Sequence, residues 1–204
     1  MIRKHFFAWF LRKGDQINHK IYGQYKSELF KEIAGKVVEI GPGTGVNFEY
    51  LPKVIEWIGI EPNELFWSDL KEKAKSKKIS AKIEKGDEAK ILLPDESADF
   101  VIITLVLCSV KNPEIMIGEI KRILKPGGKL IFIEHVAAEK GTKLRFLQGL
   151  FNPVCQLLAD GCNCTRETWK LLENAGFQKI EISHQKIKGA VSFVSPHIIG
   201  FAIK

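Results

Sequence analysis

The run Val37-Val38-Glu39-Ile40-Gly41-Pro42-Gly43-Thr44-Gly45 carries a hydrophobic strand into three closely spaced glycines. With a helix-length stretch after it, the run reads as the opening strand and turn of an α/β domain. Glycines there let the backbone turn sharply and present bare N–H groups to a ligand. The spacing is G-x-G-x-G, not the G-x-G-x-x-G of dinucleotide sites, so a nicotinamide oxidoreductase is disfavoured. Glu39 and Pro42 suit a ligand without pyrophosphate, because a carboxylate beside the loop repels phosphate and attracts a cation.

Outward from that run, β-rich segments alternate with helical ones, the pattern of a mostly parallel sheet. Strands are predicted near 36–40, 56–61, 80–85, 98–106, 129–136, 177–187 and 192–203, with helices near 44–52, 63–78, 88–92 and 113–124. In the last of these, Asn112 is the N-cap, Pro113 the first helical residue, and Ile115, Met116, Ile120, Ile123 and Leu124 the buried stripe. Lys125-Pro126-Gly127-Gly128 then stops the helix. A helical cover is expected over about 142–175, in two pieces: Thr142 to Leu158, interrupted at Pro153, and Thr165 (the N-cap) to Ala175, ended by Gly176. No helix separates the last two strands, only Lys188-Gly189-Ala190, so they form an antiparallel hairpin at the sheet edge. The fold expected is a Rossmann-like, seven-stranded, mostly parallel sheet with helices on both faces and that terminal hairpin. Residues 36–204 make this domain and 1–35 a separate basic, amphipathic helical segment.

At 204 residues the chain can bury a full core, and 45% hydrophobic with 27% charged residues excludes fibrous and disordered classes. The net charge is +7, but eight basic and three acidic residues fall within 1–36, so the basicity is local and no nucleic-acid partner is expected. Phe6-Phe7-Ala8-Trp9-Phe10-Leu11 is too short to span a bilayer, which takes about 20 residues. Phe6, Phe10, Ile17, Ile21 and Tyr25 nevertheless recur at mostly helical spacing among Lys and Arg. Residues 1–31 therefore either cover the protein's own pocket or rest on an anionic membrane surface. Four cysteines, 108, 155, 162 and 164, and the lack of a signal-peptide pattern place the chain in a reducing cytoplasm, with peripheral membrane contact as the variant.

Carboxylates mark the ligand. Glu61, with Pro62 and Asn63 after it, ends the second strand about 20 residues past the loop, where it accepts hydrogen bonds from ribose hydroxyls. Gly86-Asp87-Glu88 ends the third strand, with Asp87 placed to accept from an adenine amino group. With Glu39, these describe a pocket for a positively charged nucleoside. Thr104 and Leu105 end the fourth strand, Cys108 lies just beyond, and His135 ends the fifth, where a general base or acid belongs. Asp160 belongs to the cover. Cys162-x-Cys164 with Cys155 lacks a second spaced pair, so no metal is expected.

These blocks resemble the class I S-adenosylmethionine-dependent methyltransferases, from Gly86 through Leu92-Leu93-Pro94-Asp95-Glu96-Ser97-Ala98-Asp99 and at Leu124-Lys125-Pro126-Gly127-Gly128-Lys129-Leu130. Further runs are similar to the methyltransferase-like 7 proteins of animals, which are alkyl-thiol S-methyltransferases. They are Thr104–Val110, Glu134-His135-Val136, Asp160-Gly161-Cys162, Thr165–Lys170, Leu172–Ala175 and Pro196–Gly200. The resemblance implies S-adenosylmethionine as cofactor, S-adenosylhomocysteine as product, and a small apolar thiol as acceptor. It also places Thr104 and Leu105 against the methionine part of the cofactor, with His135, Cys108 and Asp160 at the acceptor. Two alternatives stand beside it: methylation of a phospholipid or quinone head group at the membrane, and a non-catalytic adenosyl-binding module. The chain departs from the animal proteins in lacking their long hydrophobic anchor, in Glu61 for Asp, and in Pro42 for Cys.

Overall fold

The structure is a computed structural model that describes residues 2–53, 55–86, 90–190 and 192–204. Its elements run α1 (Ile2–Phe30), β1 (Gly35–Ile40), β2 (Ile55–Ile60), α2 (Trp67–Lys77), β3 (Ser80–Glu84), β4 (Ala98–Thr104), α3 (Pro113–Ile123), β5 (Leu124–His135), α4 (Lys143–Leu158), α5 (Thr168–Glu173), β6 (Lys179–Lys186) and β7 (Pro196–Ile203). The strands form one sheet in the order β3-β2-β1-β4-β5-β7-β6. β1 to β5 pair in parallel, and β7 is antiparallel to both β5 and β6.

The central strands are near-continuous apolar runs because both faces of a helix-covered parallel sheet are buried. Side chains alternate between two cores. Val38, Val101, Ile103 and Leu130 pack with Met116, Ile117, Ile120 and Ile123 of α3 on one face. Val37, Trp57, Ile102 and Ile131 pack with Phe30, Phe48, Leu70 and Ala74 on the other. The strand order reverses between β1 and β4, so the carboxyl ends of these two strands open the crevice in which such sheets bind ligands.

Several expectations are corrected. The helix predicted over 44–52 is a single 3₁₀ turn at Val46–Glu49, since Pro52 bars its continuation and β2 follows at once. The helix predicted over 88–92 is absent at residues 90–92. There Arg122 donates to the carbonyls of Ile91 and Leu93, and the Ile91 N–H donates to Glu119, which holds the segment extended against α3. In α3 itself Ile115 is 48% exposed and Ile117 takes its buried place; Asn112 stands at the N-cap without a side-chain cap bond. α4 runs unbroken through Pro153, whose lost backbone bond falls on the solvent side of the helix. α5 starts at Thr168 rather than after Thr165, because the Thr165 hydroxyl and N–H both donate to Asn163. β7 begins at Pro196 after a 3₁₀ turn at Ser192–Val194.

α1 is one continuous helix laid across the crevice. Arg12 donates to Asp69 and to the Leu65 carbonyl, Asp15 accepts from Thr44 and Lys73, and His19 meets the Tyr50 hydroxyl. No helix among the described residues is long and apolar enough to cross a membrane.

Candidate active site

Gly41, Gly43 and Gly45 all have positive φ (63°, 55° and 76°), a conformation that glycine adopts without strain. The N–H groups of this loop are not bare, contrary to the expectation. Gly41 donates to the Ile60 carbonyl, Gly43 to Glu61, and Gly45 to the carbonyl of the buried Pro42. A turn this tight satisfies itself and the neighbouring strand. A Cβ on Gly43 would lie 3.6 Å from Leu11 of α1, an ordinary packing distance that puts the helix directly over the loop.

Glu61 sits at the tip of β2 as predicted. Its Oε2 accepts from Gly43 N–H at 2.9 Å and its Oε1 from Asn63 N–H at 2.8 Å. Burial pushes its pKa up, the two N–H bonds pull it back, and the nearby Asp160 charge raises it. Asp160 itself is held at φ 48° just after α4 and carries a further interaction of its own. Glu39 is buried behind the loop, with Oε1 accepting from Asn47 and Oε2 from Trp57 at 2.9 Å or less, while burial raises its pKa. Gly86 is a packing glycine, since a Cβ there would come within 2.3 Å of Ile60 Cγ2. Asp87 and Glu88 lie outside the described residues. Pro62 follows Glu61 at the rim, and Asn63 starts the 3₁₀ turn Glu64–Phe66 with its side chain accepting from Leu65.

At the neighbouring strand ends, Thr104 Oγ1 accepts from Asn47 at 3.2 Å, and Leu105 turns the chain with φ 59° while its N–H donates to the Ile133 carbonyl. Glu134 is buried and accepts from the Val106 and Leu107 N–H groups at 2.7 and 3.1 Å; burial pushes its pKa up to about 8. Beyond this turn lie Cys108 and His135, joined by Cys162 from the loop after α4. His135 Nε2 is 2.9 Å from Cys162 Sγ. The hydrogen bond with Cys162 and the His135 charge draw the Cys108 pKa down against its burial. Burial disfavours charge on His135, and the Cys108 thiolate outweighs that and raises it. Behind it, burial holds His197 down to about 4, so the ring is neutral. His197 Nδ1–H donates to the Ser195 carbonyl, which leaves Nε2 to accept from the Tyr22 hydroxyl.

Asn47, Glu134, Cys162 in this company, and the Tyr22–His197 pair are functional candidates that sequence reasoning did not assemble. Glu134, a carboxylate directly after the apolar run Ile131–Ile133, Cys162 and His197 all fall in the runs that resemble the animal methyltransferases, whereas Asn47 and Tyr22 left no signal. Four buried side-chain atoms at these strand ends, Asn47 Oδ1, Asn63 Nδ2, Glu134 Oε2 and His135 Nδ1, have no protein hydrogen-bond partner, which suits a crevice that closes around a polar ligand.

The glycine loop, the buried carboxylate at the end of β2 and the switch-point crevice are features of the class I S-adenosylmethionine-dependent methyltransferases. A family described as a methyltransferase domain matches residues 38–132. The chain is 39% identical to the human thiol S-methyltransferase TMT1A over all of its own length and 88% of that protein. It is also 39% identical to human thiol S-methyltransferase TMT1B over 88% of its length and 78% of that protein. The chain belongs to this family of methyltransferases. Among solved structures, a Thermotoga maritima S-adenosylmethionine-dependent methyltransferase described as a possible histamine N-methyltransferase shares the fold. It has a TM-score of 0.69 and 22% identity, with 98% of this chain and 99% of that one covered.

Proposed function

We propose that this methyltransferase transfers the methyl group of S-adenosylmethionine to a small, largely apolar thiol. Full-length similarity to proteins named thiol S-methyltransferases carries this reading. In it, Glu61 accepts from the ribose hydroxyls, and Gly41, Pro42, Gly43 and Gly45 give the methionine part its close approach. Glu39 contributes a negative field from behind the loop rather than direct contact. Pro62, Asn63, Gly86, Asp87 and Glu88 border the adenine, while Thr104 and Leu105 line the donor sulfonium. Cys108, His135 and Asp160 stand on the acceptor side.

The reaction is an in-line displacement. The protein aligns acceptor sulfur, methyl carbon and leaving sulfur, excludes water, and keeps the acceptor in its nucleophilic thiolate form. A free thiol titrates near 8.5, so a positive or donating group beside it enlarges the thiolate fraction at neutral pH. The test offers the purified chain thiols, amines, phenols and lipids with methyl-labelled cofactor. Label in the thioether of an apolar thiol supports the reading, and label only in another acceptor class overturns it.

We infer also that the protein rests on membrane surfaces. Phe6, Trp9, Phe10 and Ile17 of α1 are exposed, and α4 turns Phe146, Leu150, Val154, Leu157 and Leu158 outward while burying Gln148. Basic side chains flank both faces, including Lys13, Lys20, Lys140 and Lys143. A reducing compartment fits the four free thiols.

A further inference from the structure

The fold gathers a donor set that sequence spacing hides. Cys108 comes from the turn after β4, His135 from the last position of β5, and Cys162 from the loop after α4. One ligand atom from each lies within 4.8 Å of the other two, and the residues are only 2%, 5% and 7% exposed. Two sulfurs and an imidazole nitrogen are the donors that zinc prefers; with Zn–S near 2.3 Å and Zn–N near 2.0–2.1 Å, tetrahedral donors stand roughly 3.5–4 Å apart. Small side-chain movements within the observed radius reach that geometry.

Hydrogen bonds to main-chain carbonyls hold the three turns in register. Asn163 N–H donates to the Cys108 carbonyl at 2.8 Å, tying the Cys162 loop to the Cys108 turn. Arg166 donates to the carbonyls of Leu107 and Val110 on either side of Cys108, and its own carbonyl accepts from Ala137, two residues past His135. His135 also keeps a buried Nδ1 with no protein partner, so either ring nitrogen is available. Cys155 and Cys164 pack in the same sulfur-rich cluster but do not join the set of mutually close ligand atoms.

We propose that Cys108, His135 and Cys162 bind a thiophilic divalent cation of the zinc kind, whose remaining coordination position takes the acceptor sulfur. The second half of this statement rests on the thiol reading above. Three protein ligands with one open position is the pattern of reactive rather than purely structural zinc. The acceptor S–H bond breaks, its proton leaves to solvent, and the sulfur occupies the open position as thiolate. A sulfur lone pair then forms the new C–S bond while the sulfonium S–CH3 bond breaks, with that electron pair staying on the cofactor sulfur. The neutral thioether is a poorer ligand and departs. The cation is neither oxidised nor consumed.

The full chain is loaded with Zn2+, exchanged into metal-free buffer, and assayed for zinc by mass spectrometry, with S-adenosylmethionine binding as the check on folding. The expected result is about one zinc per chain, with affinity weakened about tenfold or more in Cys108→Ser and in Cys162→Ser and unchanged in Cys155→Ser. The Co2+ form should show thiolate-to-cobalt charge transfer and tetrahedral visible bands that shift on adding a short apolar thiol but not the corresponding alcohol. Folded wild-type chain that retains no zinc, equal zinc affinity in the Cys108 and Cys162 variants, or an intact mass lower by two hydrogens from a disulfide each overturns the site. If chelator-stripped chain methylates the thiol at an undiminished rate, the cation's role falls and the thiol reading stands. If zinc binds but no thiol is methylated and the cobalt bands stay still, the thiol reading falls and only the cation site survives.

Discussion

The backbone N–H of Gly43 donates to Glu61 Oε2 at 2.9 Å, so the carboxylate at the end of β2 clasps the glycine loop that follows β1. The shape of the loop and the position of this carboxylate are thereby one unit, and damage to either reaches the other.

Glu61→Ala should weaken S-adenosylmethionine binding by roughly 1–3 kcal/mol, since hydroxyls lose an acceptor and the Gly43 and Asn63 N–H groups lose theirs. Titration calorimetry measures it. Unchanged affinity removes Glu61 from the cofactor site.

Lys26 is fully buried, donates to Asn18 at 2.6 Å, and lies over the Tyr22 and Tyr50 rings. Burial lowers its pKa from 10.5 to about 8, against the pull of Glu39 and Asp15 and with the help of Lys73. The folded chain therefore binds fewer protons than the unfolded one between these values. Stability lost to this group is lost in full below pH 8 and recovered as pH climbs toward 10.5. Lys26→Met should stabilise the protein by about 2 kcal/mol at pH 7, with the advantage fading by pH 10; urea unfolding at the two pH values is the check.

Gly200 lies in β7 between two partner strands, and a Cβ there would come within 1.9 Å of the Glu181 carbonyl oxygen. Backbone cannot step aside as a side chain does, so Gly200→Ala should cost about 3 kcal/mol, the upper end of overpacking penalties. A denaturation midpoint equal to that of the wild type would contradict the close approach.

Leu150→Glu and Phe146→Glu change exposed positions on α4, the second of them 72% exposed, so stability should move by no more than about 0.5 kcal/mol. Co-sedimentation with anionic liposomes should fall sharply. Retained sedimentation would assign the membrane contact elsewhere.

His135→Gln should leave S-adenosylmethionine affinity intact and lower turnover on thiols about 10²-fold, the scale of a lost acceptor-activating group. Equal turnover excludes His135 from the reaction.

The parallel sheet was legible because its strands are buried on both faces and therefore spelled as apolar runs, from Val37 to Ile131. The carboxylate at Glu61 was legible as a charge directly after an apolar strand, but its hold on the Gly43 and Asn63 N–H groups was not, because those bonds depend on how the two loops meet. Errors fell where one residue decides between nearby alternatives. Ile115 and Ile117 lie 200° apart on a helix, and only the packing of α3 on the sheet chooses between them. Pro153 leaves α4 unbroken where its missing bond faces solvent, and burial is a tertiary property. The sulfur cluster was illegible because its members meet from three chain segments, His135 lying 27 residues from each of the two cysteines that approach it.

β7 follows β6 in the chain yet lies inside the sheet, between β6 and β5. During vectorial synthesis β6 emerges before the strand that will tether it, and β5 presents an open row of amide and carbonyl groups to whatever is nearby. β6 therefore touches the sheet only through Pro196–Ile203, and its pairing with the parallel strands depends on the strand that follows it in the chain.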